Sequence, residues 1–233
     1  MIITGLFKRR FKRFFMEVML DDGQEVMAHI ANTGSMLGLL TPNTKVLLTF
    51  VDDEKRKLKY SVQAVLCDKE WVGVNTHMPN KIIKEALLAK HSLLKEFHEY
   101  KTIKSEVKYG ANLGSRVDFL LSDYTNNQAN MYLEVKNVTL KENNLALFPD
   151  SVSERAYKHV KDLMLSMKDG HKAALLFLAQ RSDINAFSIA KHIDPAYYEI
   201  IKEAKTKGLV IKALSAKFAE NKIVLSHELE VKM

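Results

Sequence analysis

The sequence predicts an α+β protein that combines a small β-barrel with a larger mixed α/β domain. Two observations lead to this prediction. Up to about residue 80, short strand-like runs alternate with tight turns. Beyond that point, helical patterns and strands follow in the order helix, three strands, helix, strand, helix, strand. This order is typical of a mixed sheet covered by helices.

The first part of the chain has the pattern of a closed barrel of short strands. Phe14, Met16, Val18 and Leu20 alternate along one run and are expected to share one strand face. A turn at Asp21-Asp22-Gly23 follows this run. Strands are predicted at Phe14–Leu20, Glu25–Ile30, Lys45–Val51, Lys57–Leu66 and Trp71–Val74. Five short strands fit an OB-like barrel, and an SH3-like barrel fits the same pattern.

The second part begins with a helix that Asn80 is expected to cap, and a second helical run includes Leu93 and Tyr100. Ser151-Val-Ser-Glu154 matches a capping box and predicts a helix that ends near Gly170. Asp194-Pro195 begins a further helix, which Gly208 closes. Strands are predicted at Glu106–Tyr109, Arg116–Leu121, Met131–Val138, Ala173–Leu178, Leu209–Leu214 and Lys222–Leu225.

Composition narrows the functional class. The 233 residues carry a formal charge of +7, which favours a polyanionic partner, first nucleic acid and second an anionic membrane surface. Cys67 is the only cysteine, so an intramolecular disulfide is excluded, and a zinc site that uses Cys67 would need His and carboxylate ligands as well. No apolar stretch approaches the roughly 20 residues that span a bilayer. We therefore expect a cytoplasmic protein that does not bind membranes, with Cys67 buried and inert.

Asp118, Glu134 and Lys136 form the most informative group of residues. Glu134 and Lys136 are two apart on a predicted strand, so their side chains leave the same face. On the strand before it, Val117, Phe119 and Leu121 are expected to face the core with Leu133 and Val135, which turns Asp118 away from it. The loop Ser122–Asn130 is centred on Asn126, and a symmetric hairpin places Asp118 directly opposite Glu134.

Two carboxylates facing each other repel, and a divalent cation between them reverses the sign of the interaction. Hard carboxylate oxygens suit Mg²⁺ or Mn²⁺, which makes Asp118 and Glu134 candidate metal ligands. Such an ion would activate water and polarise a phosphodiester, with Lys136 orienting the water or stabilising the phosphorane oxygens. The alternative is a solvent-facing strand on which Glu134 and Lys136 form a surface ion pair.

The helix after Ser151 has a mixed polar face. Arg155, Lys158, His159 and Asp162 fall on one side of it. If this helix packs beside the carboxylate hairpin, the first three would point at a phosphate backbone. The alternative is an ordinary solvated face on which Asp162 pairs with Lys158 or Arg155. The opposite, buried stripe is predicted to contain Val152, Ala156, Val160, Leu163, Met164 and Met167.

The segment Phe7–Phe15 alternates basic and aromatic residues and contains no acid. Its basic side chains are candidate phosphate contacts, and Lys55, Arg56 and Lys57 add charge from a later turn. The candidates in the segment itself are Lys8, Arg9, Arg10, Lys12 and Arg13. Its aromatics could stack on unpaired bases, although a first strand with core phenylalanines is the favoured interpretation. The turn Asn32–Met36 is either an anion-binding nest or a plain loop.

Several short strings together resemble the sugar fermentation stimulation protein family of bacteria and archaea, nearly from end to end. In the first part they are Lys12-Arg-Phe, His29–Met36, Lys55-Arg-Lys-Leu58, Trp71–Thr76 and Pro79-Asn80. In the second part they are Glu106–Gly110, Ser115-Arg116, Asp118-Phe-Leu, Glu134–Thr139, Phe148-Pro-Asp150, Lys158-His159 and Ile193-Asp-Pro195.

This resemblance implies an N-terminal OB-like domain over residues 1–80 and a PD-(D/E)xK nuclease-like domain over residues 81–233. Asp118, Glu134 and Lys136 fall on the positions of the nuclease motif, and Glu106 matches a family glutamate that adds a candidate catalytic residue. Arg116 joins the candidate nucleic-acid contacts. The family is described as DNA-binding, with a role in the expression of maltose-metabolism genes.

Two functional hypotheses follow from the sequence. The first is a Mg²⁺-dependent nuclease in which the barrel holds DNA while Asp118, Glu134 and Lys136 cut it. The second is a DNA-binding regulator of sugar (maltose) metabolism genes on a nuclease-like fold that does not cut. The intact set of two carboxylates and a lysine favours the first.

Overall fold

The computed structural model describes residues 1–110, 113–124, 129–219 and 222–233. The helices are α1 (Met78–Leu88), α2 (Glu154–Lys168) and α3 (Pro195–Thr206), with a 3-10 helix at Ser92–Phe97. The barrel strands are β1 (Ile2–Phe11), β2 (Phe15–Leu20), β3 (Glu25–His29), β4 (Lys45–Phe50), β5 (Tyr60–Cys67) and β6 (Glu70–Gly73). The remaining strands are β7 (Tyr100–Tyr109), β8 (Ser115–Tyr124), β9 (Met131–Val138), β10 (Leu140–Glu142), β11 (Leu145–Phe148), β12 (Lys172–Ala179), β13 (Ala186–Ile189), β14 (Val210–Ala219), β15 (Lys222–Glu228) and β16 (Glu230–Lys232).

The first sheet has the order β3-β2-β1-β4-β5-β6, and an additional pairing of β3 with β5 closes its first five members into a barrel. Alternate residues fill the interior, and Met16, Val18 and Val62 are almost completely buried there. A closed barrel leaves no free edge among these five strands, which removes the commonest site of unwanted strand pairing. The predicted barrel is thus confirmed.

The basic-aromatic segment is part of strand β1, which pairs with both β2 and β4. Phe7 is buried in the barrel while Lys8 and Arg9 are exposed, so the favoured interpretation of a first strand with a core phenylalanine is confirmed. Phe14 was expected to share the inner face of β2, and this was wrong. Its side chain is 46% exposed because β2 begins only at Phe15 and Phe14 lies in the turn.

The central sheet of the second part has the order β15-β14-β12-β9-β8-β7. Strands β14, β12 and β9 run parallel, their outer neighbours β15 and β8 are antiparallel to them, and β7 pairs antiparallel with β8. Helix α1 packs on one face, against Leu133 and Val135. Helices α2 and α3 pack on the other, against Leu175 and Phe177. Because both faces are covered, Glu134 on β9 lies inside the molecule rather than on a solvent-facing strand.

Val117 departs from the predicted alternation. It packs in the cluster beneath α2, whereas Phe119 and Leu121 pack beneath α1. The regular pairing of β8 with β9 ends at Phe119, and on the other side β7 contains Glu106 with a left-handed φ of 56°. The change of face falls at Asp118, where the pairing with β9 has ended and the carboxylate accepts from the Val135 N–H instead.

The helix ends differ from the predictions in two places. Helix α2 is capped by Ser153, whose side chain accepts from the backbone N–H of Ala156, and not by Ser151. Helix α1 begins at Met78, so Asn80 lies inside its first turn and its side chain is free to reach Asp118. Asp194 caps α3 as predicted, and Gly208 follows with a φ of 99°.

A further small sheet, with the order β10-β11-β13-β16, was not predicted. Its strands are three or four residues long, which is too short for a recognisable period. Strand β11 leads into the segment Pro149–Ser153, which carries the chain to α2. Within the ranges described above, no helix has the length and apolar content needed to cross a membrane.

The turn Asn32–Met36 joins the barrel to the second domain through Asp150. The Ser35 hydroxyl and the Met36 N–H both donate to Asp150 Oδ2, at 3.0 and 3.2 Å. A Cβ on Gly34 would lie 2.9 Å from the same carboxylate oxygen, so glycine permits this close approach. The turn Asn32–Met36 therefore does bind an anionic group, and that group is the protein's own Asp150 carboxylate.

Candidate functional site

Asp118 and Glu134 meet at the point where strands β8 and β9 separate. The two strands pair Leu121 with Met131 and Phe119 with Leu133, which is the register predicted from a symmetric hairpin. The loop centre at Asn126 lies outside the described residues. Beyond Phe119 the ladder stops, and Asp118 Oδ2 instead accepts from the backbone N–H of Val135 at 2.7 Å. This bond fixes the Asp118 carboxylate beside Glu134.

Asp118 is held in an environment that disfavours its charge. Its second oxygen accepts from Asn80 Nδ2 of α1 at 2.7 Å. Burial and the neighbouring Glu134 carboxylate raise the pKa of Asp118 to about 6, although the hydrogen bonds from Val135 and Asn80 oppose the shift. The repulsion expected between the two carboxylates is therefore present in the structure.

Glu134 is 3% exposed, and two basic side chains meet at one of its oxygens. Lys136 Nζ donates to Oε1 at 2.7 Å, and His159 Nδ1 contacts the same atom. Burial disfavours the charge of Glu134, but Lys136 and His159 outweigh it and leave the pKa of Glu134 lowered. Its other oxygen, Oε2, has no hydrogen-bond partner in the part of the chain that the structure describes. The buried hydroxyl of Tyr197, whose pKa is raised by burial and by Glu134, is likewise unpartnered among these residues.

His159 and Asp162 do not lie on a solvated helix face, so the alternative of an ordinary solvated face is wrong for these two residues, and a contact between His159 and a phosphate stays a prediction. Both residues are buried, because α2 turns this side toward the edge of the sheet where β8 leaves β9. Asp162 Oδ2 accepts from the Ser115 hydroxyl and lies 3.5 Å from Lys158 Nζ, so the predicted ion pair is present. Val152, which was assigned to the buried stripe, precedes the helix and is 71% exposed.

A cavity of about 860 Å³ opens onto the two carboxylates. Glu106 lies across from Asp118 on β7 and lines the same cavity, as do both carboxylates and His159. Basic side chains surround them; these are Lys108, Arg116, Arg155 and Lys158. Lys108 was not among the predicted contacts, because nothing in the sequence pattern of β7 indicates that its side chain reaches the cavity.

The basic residues of the barrel are not among the residues that line this cavity. Lys8, Lys12 and Arg13 are exposed. Arg9 forms an ion pair with Glu17 at 2.5 Å, and the guanidinium of Arg10 donates to backbone carbonyls inside the protein. In the second basic group, Lys55 and Lys57 are exposed and Arg56 donates to the Ser61 hydroxyl.

The donor set fits a hard divalent cation held by few protein ligands. Within the described ranges, no three His, Cys, Asp or Glu side chains converge closely enough to form a complete metal cage. Asp118 and Glu134 nevertheless share one cavity, and Glu134 Oε2 is buried with no hydrogen-bond partner among the described residues. Mg²⁺ usually keeps several waters and binds only one or two carboxylates, so this pair is sufficient.

A closed five-stranded barrel followed by a mixed sheet with buried, paired carboxylates defines a class of two-domain α+β proteins. A family model described as the sugar fermentation stimulation protein RE domain matches residues 77–222. A second model, described as the SfsA N-terminal OB domain, matches residues 9–74. The chain therefore belongs to the sugar fermentation stimulation protein family. The barrel is of the OB type, which excludes the SH3-like alternative, and the division into residues 1–80 and 81–233 stays a prediction.

Individual relatives cover almost the whole chain. A sugar fermentation stimulation protein homolog of Citrifermentans bemidjiense is 42% identical, over 99% of this chain and 96% of its own length. A homolog from Pseudoalteromonas atlantica is 40% identical, over 98% and 96%. A solved structure, described as Pyrococcus furiosus SfsA in complex with Ca²⁺, has a TM-score of 0.89 and 26% identity, and it covers 100% of this chain and 96% of that one.

Proposed function

We propose that this protein is a divalent-metal-dependent phosphodiester hydrolase that acts on DNA. The observation that carries the proposal is the cavity in which Asp118 and Glu134 lie together inside a ring of basic side chains. In metal-dependent phosphodiester cleavage, carboxylates bind the metal ion, and basic side chains beside them bind the phosphates of the substrate. Membership of the sugar fermentation stimulation family agrees with a two-domain protein of this kind.

Asp118 and Glu134 are the proposed ligands of Mg²⁺ or Mn²⁺, and Glu106 is a further candidate on the opposite strand. The relative from Pyrococcus furiosus is described as a complex with Ca²⁺, which supports cation binding by this fold. When bound, the ion would supply Lewis-acid activation of water and of the scissile phosphate. Burial and Glu134 raise the pKa of Asp118, and a cation held between the two carboxylates would favour the charged form again.

The protein's own side chains would position the substrate. Lys136 Nζ lies 2.7 Å from Glu134 Oε1, and it is the cation that would neutralise the charge developing on a phosphate held at Glu134. Arg116, Arg155 and Lys158 at the rim would hold the neighbouring phosphates. His159 would keep Glu134 in place from behind, since its ring contacts Oε1 and leaves Oε2 available.

Cleavage of supercoiled plasmid and of short single strands tests this proposal. Wild type should nick DNA with Mg²⁺ or Mn²⁺ and stop when EDTA is added, whereas Glu134→Gln should be inactive. Asp183→Asn is the matched control, because Asp183 is an ion-paired carboxylate away from the cavity, bonded to Arg181 at 2.6 Å. Activity that survives both EDTA and Glu134→Gln would come from a contaminant and would refute the assignment.

One observation favours a second function. Lys136 pairs with Glu134 Oε1 and His159 contacts the same oxygen, so the protein's own side chains already occupy part of this carboxylate, as in a site that does not need a cation. The chain would then be a DNA-binding regulator of sugar-metabolism genes, in keeping with its family's name. Wild type that binds DNA but never cuts it under any metal condition would support this function over the first.

DNA binding should depend strongly on salt through the exposed cations of the first strands. Replacing Lys8, Lys12 and Arg13 with Ala should flatten the slope of log affinity against log salt by up to about 2.7, because each phosphate contact contributes roughly 0.9 on duplex DNA. Titrations between low and moderate salt measure this slope. Replacing the exposed Lys84, Lys90 and Lys95 removes the same charge elsewhere and should leave the slope nearly unchanged. Equal slopes for the two variants would show that the barrel does not contact phosphates.

A further inference from the structure

The turn between β1 and β2 carries an exposed aromatic ring, Phe14, on a backbone that other contacts hold in place. The strands pair as far as Phe11 and Phe15, and Lys12, Arg13 and Phe14 form the tip between them. Lys12 and Arg13 have left-handed backbone angles, with φ of 48° and 61°. Such angles cost free energy in residues other than glycine, so they persist only where other contacts hold the turn.

The Arg10 guanidinium supplies those contacts. Its Nε and Nη2 donate to the carbonyl of Arg13 at 3.1 and 2.9 Å, and Nη1 donates to the carbonyl of Gly34 at 3.0 Å. The carbonyl of Phe14 accepts from the backbone N–H of Ile30 at 2.9 Å. The backbone on both sides of the tip is therefore anchored to the barrel, while the Phe14 side chain is left 46% exposed.

The surroundings of Phe14 combine charge with further aromatic surface. Lys12 and Arg13 are exposed beside it. At the base of the tip, the rings of Phe11 and Phe15 stack with their centroids 5.4 Å apart and an angle of 18° between their planes. A single exposed phenylalanine needs no explanation. An exposed ring on an anchored turn, directly after two exposed cations, is a combination that can bind unpaired bases and their phosphates.

We propose that this tip, residues 11–15, binds single-stranded DNA, with Phe14 stacking on an unpaired base while Lys12 and Arg13 contact the flanking phosphates. The proposal rests on the nucleic-acid binding in the proposed function, and it names the form of nucleic acid that the barrel prefers. Bases in an intact duplex are stacked on each other and expose only their edges, so Phe14 has no face to contact there.

The location of the tip favours a nucleic acid over an anionic membrane. Arg10 bonds the carbonyl of Gly34, and the next residue, Ser35, bonds Asp150. Asp150 lies four residues before Glu154, which lines the carboxylate cavity. The tip is thus anchored, through Arg10, to the turn that contacts Asp150 in the segment before α2.

Phe14→Ala tests this inference by fluorescence anisotropy in EDTA, with one labelled oligonucleotide used as a single strand and as a duplex. The variant should bind the single strand at least about fivefold more weakly, because loss of one base–aromatic stack typically has an effect of that size or larger. Duplex affinity should stay unchanged, and so should the salt slope, because no charge is removed. Phe14→Trp should restore single-strand binding. Leu88→Ala, which truncates a side chain that is 65% exposed at the end of α1, is the matched control.

The outcomes separate this inference from the function on which it rests. If wild type binds neither form of DNA, nucleic-acid binding itself fails. If wild type binds both and Phe14→Ala binds the single strand equally well, or weakens both forms alike, only the stacking role of Phe14 is refuted. Vesicles of phosphatidylglycerol supply the last comparison: a variant that loses vesicle binding but keeps single-strand binding would show that the tip is a membrane contact.

Discussion

Lys136→Ala is expected to slow DNA cleavage by roughly 10²–10³-fold, the usual effect of removing one electrostatic stabiliser of a transition state. Mn²⁺ affinity should not fall. The ammonium group lies 2.7 Å from Glu134 Oε1, where it repels an incoming cation, and His159 remains to hold the carboxylate after the substitution. Binding and chemistry should therefore separate in this one variant. Calorimetric titration with Mn²⁺ and single-turnover cleavage measure the two quantities.

Lys212→Ala is the control for the general effect of removing a buried lysine from a central strand. Lys212 is 8% exposed and pairs with Glu96 and Glu228 at 2.9 Å, on β14 and outside the cavity. We expect it to lower thermal stability without changing the cleavage rate per folded molecule. Should Lys136→Ala lose Mn²⁺ binding in parallel with turnover, Lys136 would have a structural role in forming the site, and its assignment to the chemical step would be wrong.

Asp118→Asn is expected to abolish Mn²⁺ binding and at the same time to stabilise the metal-free protein at pH 7.5. Burial and Glu134 raise the pKa of Asp118 from 3.8 to about 6. A raised carboxyl pKa means that the folded state binds the proton more tightly than the unfolded state, so this group destabilises the fold as pH rises from about 4 through 6. The shift corresponds to an upper limit of about 3 kcal/mol above pH 6. Asparagine carries no charge there and avoids that cost.

Urea unfolding in EDTA at pH 4 and pH 7.5 measures the effect. The gain in the free energy of unfolding should be present at pH 7.5 and should nearly vanish at pH 4, where wild-type Asp118 is protonated in the folded state. Excess Mn²⁺ should stabilise wild type and leave the variant unchanged, because a ligand stabilises only the state that binds it. A variant that is less stable than wild type at pH 7.5 would contradict the repulsion between Asp118 and Glu134.

Asp183→Asn provides a control of opposite sign. Burial opposes its charge, but hydrogen bonds from Arg181 and Lys141 outweigh burial and lower the pKa of Asp183 to about 2. That group stabilises the fold at neutral pH and loses its contribution as pH falls through about 4 toward 2, so its replacement should destabilise the protein at pH 7.5. The two Asp→Asn variants should therefore change the stability at pH 7.5 in opposite directions, because the charge of Asp118 is disfavoured and that of Asp183 is stabilised by Arg181 and Lys141.

The carboxylate pair could be predicted from the sequence for two reasons. Side chains on a strand alternate with a period of two, and the centre of a hairpin loop determines which residues of the two strands lie opposite each other. These two facts place Asp118 beside Glu134 without any knowledge of the rest of the fold. The position of His159 could not be predicted in the same way. Helical periodicity tells which residues share a side, but packing against the sheet decides which side is buried. The charged residues of α2 therefore looked solvated, although His159 and Asp162 lie beneath the site.

Strand β1 and the small sheet show two other limits of local pattern. In β1, the segment from Phe7 was interpreted as a first strand, but the charges of Lys8 and Arg9 hide the alternation that begins earlier and buries Gly5 as well as Phe7. In the small sheet, strands such as β10 and β11 form only because segments distant in sequence meet. Contacts of that kind have no signal in a local window, and Asp150 is a further example, since its partners Ser35 and Met36 lie more than a hundred residues away.

The Asp150 contact also bears on whether the two parts of this protein can be expressed separately. Asp150, which accepts a hydrogen bond from Ser35 of the barrel, lies just before α2, and α2 contains His159, which contacts Glu134. A second connection joins the Gly73 N–H to the carbonyl of Gln180 at 2.7 Å, just beyond β12. Expressed separately, the C-terminal half would expose a carboxylate and a carbonyl that were shaped to meet the barrel. A chimaera that joins the barrel of one family member to the second domain of another would have to preserve both of these contacts, because they hold the two parts of the chain together.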